Sequence, residues 1–585
     1  MIDLLEIKDP SFLKGLNKEE RLLLADNIRS FLISKISQTG GHLSSNLGTI
    51  ELITALYYVF DPEKDQFLFD VGHQAYTAKI LTGRAKDFDN LRKLDGLSGF
   101  PSYAESKYDN FESGHGSTTI SAAYGLSESN KKKSLNRRII SIIGDGAIAG
   151  GVAFEGLNFL SYQENPIIII NDNGFAIDEA VGKLADFFKE ESKNIKTGND
   201  LKNYKQNNNL FTDLGYLYYG IYDGNDLELL ISLLKDLKEI NKPLIFHIHT
   251  KKGNGYEPAL SDTTKYHGLG KFDILSGEVY DKADGKQNYS TIIAKELMNL
   301  RKNIPFSVIN PAMITSSDLK CFKEKYPNDT YDFGLSEEHA VLVASMMAKE
   351  NNKVIVSLYS TFAQRAYDQI LNDVSRPNLN VFFLLDHSGL VSGDGGTHQG
   401  IYDLSMFRSM PNMKIMMAKN SGEAKGLLEF GLNYQDGPIV LRYEKERVSD
   451  EEKVVVNDMS WVIEQKGTKA IIISYGLLVS KLLEMDLDAY IVNARFLRPL
   501  DKKMFSQLLE LNLPILIYEE VIESSSLYEA ILAYLHKTNE EVPKIKALNI
   551  DNNEVIAVGT KEELLHKYHL DEEAVNKALK ELTCD

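Results

Sequence analysis

The chain has 585 residues, 43% of them hydrophobic and 25% charged, with a formal charge of −18 at pH 7. That length allows three or four domains with cores of their own, and the composition is that of an ordinary globular protein. The acidic balance argues against a nucleic-acid partner, because phosphate backbones demand clustered Lys and Arg. Two cysteines, Cys321 and Cys584, make no disulfide framework. No apolar run approaches the ~18–20 residues of a membrane span, and MIDLLEIKDP lacks the layout of a signal peptide. The expectation is a cytoplasmic globular protein, away from membranes.

Residues 1–60 read as helical, and GGHLSSNLGTIELITALYYVF (40–60) holds His42 between a glycine pair and a helix expected from about Ser45. A single histidine in such a loop is more often structural than catalytic. DVGHQAYTAKILTG (70–83) puts His73 at the end of a strand. SGHGSTTISAAYG (113–125) puts His115, between Gly114 and Gly116, in a loop opening a helix, the geometry of a phosphate-binding turn. Three histidines in glycine-bounded loops, out of 12 in the chain, argue for proton carriers rather than surface filler. The basic run KKKSLNRR (131–138) reads as a solvated loop before a strand.

Residues 138–175 carry the densest chemistry. Ile139–Ile143 and Ile167–Ile170 suit buried parallel strands, and AGGVAFEGLNFL between them has helical spacing. Asp145 stands just past the first strand and Asn173 just past the second, so both project from the carboxyl edge, where open α/β sheets bind ligands. Gly144 and Gly146 let a bulky group approach the backbone. A carboxylate, an amide oxygen and a backbone carbonyl suit Mg2+ completed by phosphates. The plainer reading is a turn in which Asp145 caps the next helix. Asn173 follows Asp145 by 28 residues, however, and this pairing resembles the thiamine-diphosphate signature of GDG and a later Asn. That resemblance implies that Asp145, Asn173 and the carbonyl of Phe175 hold Mg2+ against the diphosphate.

GGHLSSNLG, DVGHQAY, GLSGFP (96–101), GHGSTTISAA and GDGAIAGG resemble, in order and spacing, the 1-deoxy-D-xylulose-5-phosphate synthase family of the transketolase superfamily. The resemblance continues through NDNGFAI (171–177), LGYLYYGIYDGND (214–226), TKKGNGYEPA (250–259) and the second half. It implies an α/β fold of three doubly wound α/β domains of transketolase type. These are a diphosphate-binding domain over 1–288, a pyrimidine-binding domain over 289–447 and a transketolase C-terminal domain over 455–585. It further implies thiamine diphosphate and Mg2+ as cofactors, a homodimer, and decarboxylative condensation of pyruvate with D-glyceraldehyde 3-phosphate to 1-deoxy-D-xylulose 5-phosphate. That product feeds isoprenoid-precursor and thiamine synthesis. By the same resemblance His73, Gly114, His115, Gly116, Gly146, Ala147, Asn173 and Tyr256 would meet the cofactor. His42, His267 (in KYHGLG), His398 and Asp394 would contact substrate and move protons.

GLSEEHA (334–340) places Glu337 in the first turn of an amphipathic helix, where a carboxylate also complements the helix dipole. By resemblance, Glu337 is the glutamate that bonds N1′ of the cofactor's aminopyrimidine. In VIVSLYSTFAQRAYDQI (354–370), Phe362 matches the aromatic packed on that ring, with Tyr359 and Arg365 on the substrate-facing loop. DHSGLVSGDGGTHQG (386–400), with five glycines in 15 residues plus Asp394 and His398, reads as an active-site wall. The last domain alternates strands and helices and shows no catalytic constellation.

The family's Asp-Arg-Ala-Gly is Asp386-His387-Ser388-Gly389 here, and its Arg-Tyr-Pro-Arg-Gly is Arg442-Tyr443-Glu444-Lys445-Glu446. The two positions from which arginines would grip the acceptor's phosphate therefore hold His387 and Lys445. Lysine is a point charge without arginine's fork, and histidine is often neutral at pH 7. These changes leave open a different acceptor or ketol donor. A third reading, a silent binding subunit, is opposed by intact Asp145, Asn173, Glu337 and His42. Residues 182–210, polar and rich in Asn and Lys, read as a mobile loop near the site, and 272–290 as the linker out of the first domain.

Overall fold

A computed structural model describes residues 2–163, 165–280 and 284–584. The chain divides into two compact units: Met1–Asp281 with Gly334–Ser336, and Lys282–Phe333 with Glu337–Asp585.

Among the described residues the first unit is built on a five-stranded parallel sheet. Its strands are β1 (Gln66–Phe69), β2 (Ile139–Gly144), β3 (Pro166–Asp172), β4 (Leu217–Asp223) and β5 (Leu244–His249), in the order β1-β2-β3-β5-β4. The isoleucine runs expected to be strands are β2 and β3, and both faces are buried. Ile140, Ile142, Ile167 and Ile169 pack in one core with Leu47 and Leu230. Ile139, Ile143, Ile168 and Ile170 pack in another with Ala153 and Leu157. Two-sided burial is why these strands read as continuous rather than alternating apolar runs. The helix Gly151–Leu160 closes over β2 against the helix Thr119–Lys132. A Cβ at Gly156 would come within 2.9 Å of Ser121 N, so that approach requires glycine.

Residues 182–210 are not a loose loop. Leu184, Phe187 and Phe188 recur at helical spacing, and Lys183–Glu191 is a helix whose Phe188 is 2% exposed. Tyr204 Oη donates to Gly220 O at 2.9 Å, and Tyr222 Oη donates to the Asp200 carboxylate. The abundant Asn and Lys stay at the surface, while a few correctly spaced apolar groups dock the segment. The expected linker is also folded on both sides of 281–283, which lie outside the described residues. Phe272 is buried and bridges to Val279, and Gln287–Asn288 is a strand leading into the helix Tyr289–Leu300.

The second unit holds, among the described residues, a seven-stranded and a five-stranded sheet besides one short antiparallel pair. The larger runs Phe496–Arg498, Lys414–Met417, Ile439–Arg442, Val381–Asp386, Val354–Tyr359, Ser307–Ile309, Thr330–Tyr331, and only its first pair is antiparallel. The smaller runs Val462–Gln465, Ala489–Asn493, Ala470–Ser474, Ile515–Ile522, Ile545–Ile550, again with only the first pair antiparallel. Phe496–Arg498 comes from the last third of the chain yet completes the larger sheet, and Met417, Ile473 and Val492 share one core. In both units the expected site residues Asp145, Asn173 and His387 follow the carboxyl ends of parallel strands, where such sheets take ligands. No described helix is long and apolar enough to cross a membrane.

Candidate active site

In the first unit, Asp145 leaves β2 into a glycine-flanked turn and is 5% exposed, with Oδ1 3.5 Å from Asn173 N. Asn173 Oδ1 accepts from Phe175 N at 3.2 Å, and Gly174 at φ +76° takes the left-handed conformation that closes the turn. Asp145, Asn173 and Phe175 thus occupy two adjacent strand ends. A Cβ at Gly146 would lie 2.6 Å from Ala176 Cβ, so the two turns press together. Burial, reinforced by the Asp172 carboxylate, pushes Asp145 up to about 7. Lys252, which sequence reasoning passed over inside TKKGNGY, is buried here and donates to Ala176 O at 2.8 Å. Burial pushes its ammonium down to about 8, although Asp145 and Asp178 oppose the shift. A buried carboxylate short of counter-charge, beside an amide oxygen and a carbonyl, is the donor chemistry of Mg2+, and the residues fit that cation. Among the described residues no group of three or more His, Cys, Asp or Glu could hold a metal.

The neighbouring Asp172 is the end residue of β3. Burial would raise its carboxyl, but His247 and His249 on β5 outweigh it and hold Asp172 well below the usual range. Burial in turn lowers His247, against the pull of Asp172.

Three of the expected histidines converge. The ring centroids of His42, His73 and His267 lie 4.9–5.8 Å apart, and Phe100 of the GLSGFP segment meets His42 edge-on at 5.5 Å. Asn46, in the helix Ser44–Val59, fastens two of them by donating to His42 O and His73 O at 2.8 Å each. His267 Nδ1 lies 3.4 Å from Ser45 Oγ. Tyr256 sits in the core beside Tyr266 and Phe272, and its hydroxyl donates to Ile274 O at 2.8 Å.

The loop of Gly114, His115 and Gly116 departs from the phosphate-turn reading. The amides at the start of its helix are already bonded to a carboxylate. Asp70, 2% exposed, accepts from Ser117 N at 2.7 Å, Thr118 N at 2.9 Å and Thr119 N at 3.0 Å. The helix N-terminus is therefore neutralised from β1's end, and the loop is shaped by Asp70. The signal was Asp70 in DVGH, but nothing in sequence spacing ties it to a helix 47 residues on.

In the second unit, Glu337 opens the helix Glu337–Lys349 and is 2% exposed. Burial pushes its carboxyl up, although Arg365 Nε donates to Oε2 at 3.0 Å. Arg365, expected to face substrate, is thus the counter-ion of Glu337. Tyr359 and Phe362 are stacked at 5.5 Å, His387 stacks on Tyr359 at 3.8 Å, and His398 meets Phe362 edge-on at 5.7 Å. His387 has φ +60° and its Nδ1 lies 2.9 Å from Asp386 Oδ1. Burial lowers its pKa despite Asp386. Lys445 Nζ lies 3.3 Å from Asp394 Oδ2. Arg442 is wholly buried in a bidentate pair with Asp403, which also accepts from Ser388 Oγ at 3.0 Å, so this arginine builds the wall. Glu444 is turned inward, 4% exposed, and accepts from Leu477 N at 2.8 Å, which leaves Glu446 as the half-buried flank of Lys445.

Three protein-family models match the chain. They are 1-deoxy-D-xylulose-5-phosphate synthase over residues 4–207 and 189–250, the transketolase pyrimidine binding domain over 286–450, and the transketolase C-terminal domain over 460–575. The 1-deoxy-D-xylulose-5-phosphate synthase of Exiguobacterium sibiricum is 40% identical over 588 residues, covering 94% of this chain and 93% of its own. That of Lysinibacillus sphaericus is 38% identical over 611 residues, covering 97% and 96%. Among solved structures, a transketolase from Campylobacter jejuni subsp. jejuni aligns with a TM-score of 0.43 at 16% identity, covering 97% of this chain and all of that one. With identity near 40% along almost the whole of both sequences, this chain belongs to the 1-deoxy-D-xylulose-5-phosphate synthase family.

Proposed function

We propose that the chain condenses pyruvate, with loss of CO2, and D-glyceraldehyde 3-phosphate to 1-deoxy-D-xylulose 5-phosphate, as a thiamine-diphosphate-dependent transferase at the entry to isoprenoid-precursor synthesis. The observation that carries this is 40% identity, over 94% of the chain, to an enzyme named for that product. The relatives' shared name gives no support to a different acceptor or donor. The division into 1–288, 289–447 and 455–585 is proposed as diphosphate, pyrimidine and C-terminal domains. A cytoplasmic homodimer is proposed with it, and the two free, exposed cysteines fit a reducing compartment.

Asp145, Asn173 and the Phe175 carbonyl would hold Mg2+, with Lys252 adding positive charge near the same turn. His73, Gly114, His115, Gly116, Gly146, Ala147 and Tyr256 would line the cofactor, and Phe362 would pack on its aminopyrimidine. When bound, thiamine diphosphate supplies a carbon nucleophile for the keto carbon of pyruvate and holds the electron pair left as CO2 departs. Glu337, its carboxyl raised by burial, holds a proton at N1′ of the aminopyrimidine. His42 and His267, within one ring's reach of His73, hold and return protons at the substrate's hydroxyl and carboxylate. His398 and Asp394, on the glycine-rich wall, are proposed for substrate contact and proton transfer. His387 gives a neutral face and a hydrogen bond, and Lys445 meets the phosphate by leaving Asp394. The test is CO2 release from pyruvate with Mg2+ and thiamine diphosphate, before and after adding the aldehyde phosphate. Release should rise on addition and vanish in Glu337→Ala with circular dichroism unchanged. Parent-like turnover in that variant would overturn the assignment.

A further inference from the structure

Behind the metal turn lies a buried polar chain that the mechanism leaves unused. Strand alternation puts Tyr218 of β4, His247 and His249 of β5 and Asp172 of β3 on one face of the sheet, with Asp172 directly opposite His249. Tyr218 Oη lies 2.6 Å from His247 Nδ1, and His247 Nε2 lies 3.4 Å from Asp172 Oδ2. His249 Nδ1 lies 3.8 Å from the same oxygen. His247 and Asp172 are 0% and 3% exposed. A phenol on one ring nitrogen and a carboxylate on the other select one tautomer. In that tautomer Tyr218 donates to Nδ1 and the proton sits on Nε2, the nitrogen nearer Asp172.

The ring has little freedom to do otherwise. Phe188, from the segment that docks over the sheet, meets it edge-on at 4.8 Å. A Cβ at Gly220 would come within 2.5 Å of His247 Cβ, so β4 approaches this residue as closely as glycine permits. At the far end Asp172 Oδ1 accepts from Gly174 N at 3.2 Å, and its carbonyl accepts from Thr250 N at 2.8 Å. Asp172 therefore grips the middle of the turn whose two flanks, Asn173 and Phe175, are the expected metal donors. Among the described residues, Asp172 Oδ2, His247 Nε2 and His249 Nδ1 are buried without a hydrogen-bond partner, and each has the others as its charged neighbours, at 3.4 and 3.8 Å from the carboxylate oxygen.

We propose that His247 is a positioning residue for the metal turn: fixed by Tyr218 and Phe188, it holds Asp172, and through Asp172 the backbone that carries Asn173 and Phe175. The inference rests on reading that turn as the Mg2+ site. Partners one step behind metal ligands typically change affinity by about 10–100-fold when removed.

The experiment titrates Mn2+ as a spectroscopic stand-in for Mg2+. Free ion is counted by electron paramagnetic resonance at saturating thiamine diphosphate and without substrates, so turnover does not enter. His247→Leu should raise the half-saturating Mn2+ about tenfold or more, Tyr218→Phe should raise it about threefold or more, and His247→Gln, which keeps an N–H toward Asp172, should restore most of the loss. A folded His247→Leu within about twofold of the parent would overturn the proposal, and so would equal losses in the Leu and Gln variants, which would mark packing alone. If His247→Leu does not fold, Tyr218→Phe decides, and an unchanged titration there overturns the proposal. A parent that binds no Mn2+ with the cofactor would instead bring down the metal-site reading itself.

Discussion

Replacing Glu444 with glutamine should stabilise the protein in alkaline solution and weaken it slightly in acid. Glu444 follows the strand Ile439–Arg442, and its Oε2 is buried with no hydrogen-bond partner among the described residues. Burial, then repulsion from Glu520, lifts its carboxyl from 4.5 to about 7, although the amide of Leu477 pulls the other way. Below pH 4.5 the folded and unfolded chains both keep the proton. Between 4.5 and about 7 the unfolded chain ionises first, so stability falls through that window and the loss is complete above it. The gap corresponds to about 3 kcal/mol at about 1.4 kcal/mol per pH unit. Glutamine keeps the acceptor for Leu477 N, but its buried amide nitrogen costs about 1 kcal/mol, so the net gain above pH 8 is about 2 kcal/mol. The assay is urea unfolding followed by Trp461 fluorescence. Trp461 is the chain's one tryptophan, 2% exposed in the same unit, with Nε1 bonded to Phe496 O at 2.8 Å. A midpoint shift of the same size in acid and in alkali, or a variant weaker in both, would refute the reasoning.

Asp70→Ala leaves three amides, two of them buried, without their acceptor and should destabilise the first unit by about 3 kcal/mol or more, with hydrogen exchange rising first at residues 114–119. Phe188→Ala removes the ring that docks residues 182–210 against His247, and should cost about 3–5 kcal/mol locally. Faster exchange confined to that segment would show it, and unchanged protection would mean that Tyr204 and Tyr222 hold the segment alone. Lys445→Ala should raise KM for D-glyceraldehyde 3-phosphate about tenfold, with KM for pyruvate unchanged, because a charge-assisted hydrogen bond is lost at one end of one substrate.

What could be read from sequence was whatever strand ends dictate. Two isoleucine runs with a glycine-flanked Asp145 and an Asn173 after them leave little choice about the sheet edge on which those side chains emerge. Glycine-bounded histidines likewise announced loops, and the structure draws His42, His73 and His267 into one cluster. Partnerships across the fold were not legible, because no period connects them. Asp70 takes the amides that seemed ready for phosphate, and Arg365 turns to Glu337. Composition also misled at 182–210, where counting Asn and Lys hid the three-residue apolar stripe of the helix Lys183–Glu191 and the tyrosine contacts beyond it.

The wall around His387 shows why a substitution read as lost affinity carries more than one consequence. An arginine there would bring a permanent charge to a position flanked by Asp386 and within reach of Asp394. Burial disfavours charge on the imidazole, which lies flat on Tyr359 instead. Asp394 then has Lys445 as the cation beside it at 3.3 Å. On the proposed reading a phosphate arriving here would compete with a carboxylate for the half-buried Lys445 ammonium, and the inward turn of Glu444 would lower that competition by removing one of the two flanking acids. On that reading the acceptor's charge would be met by an exchangeable lysine ion pair rather than a fixed fork. Such pairs weaken as salt rises, so discrimination for the phosphate at this site should fall with ionic strength more steeply than where two arginines do the gripping.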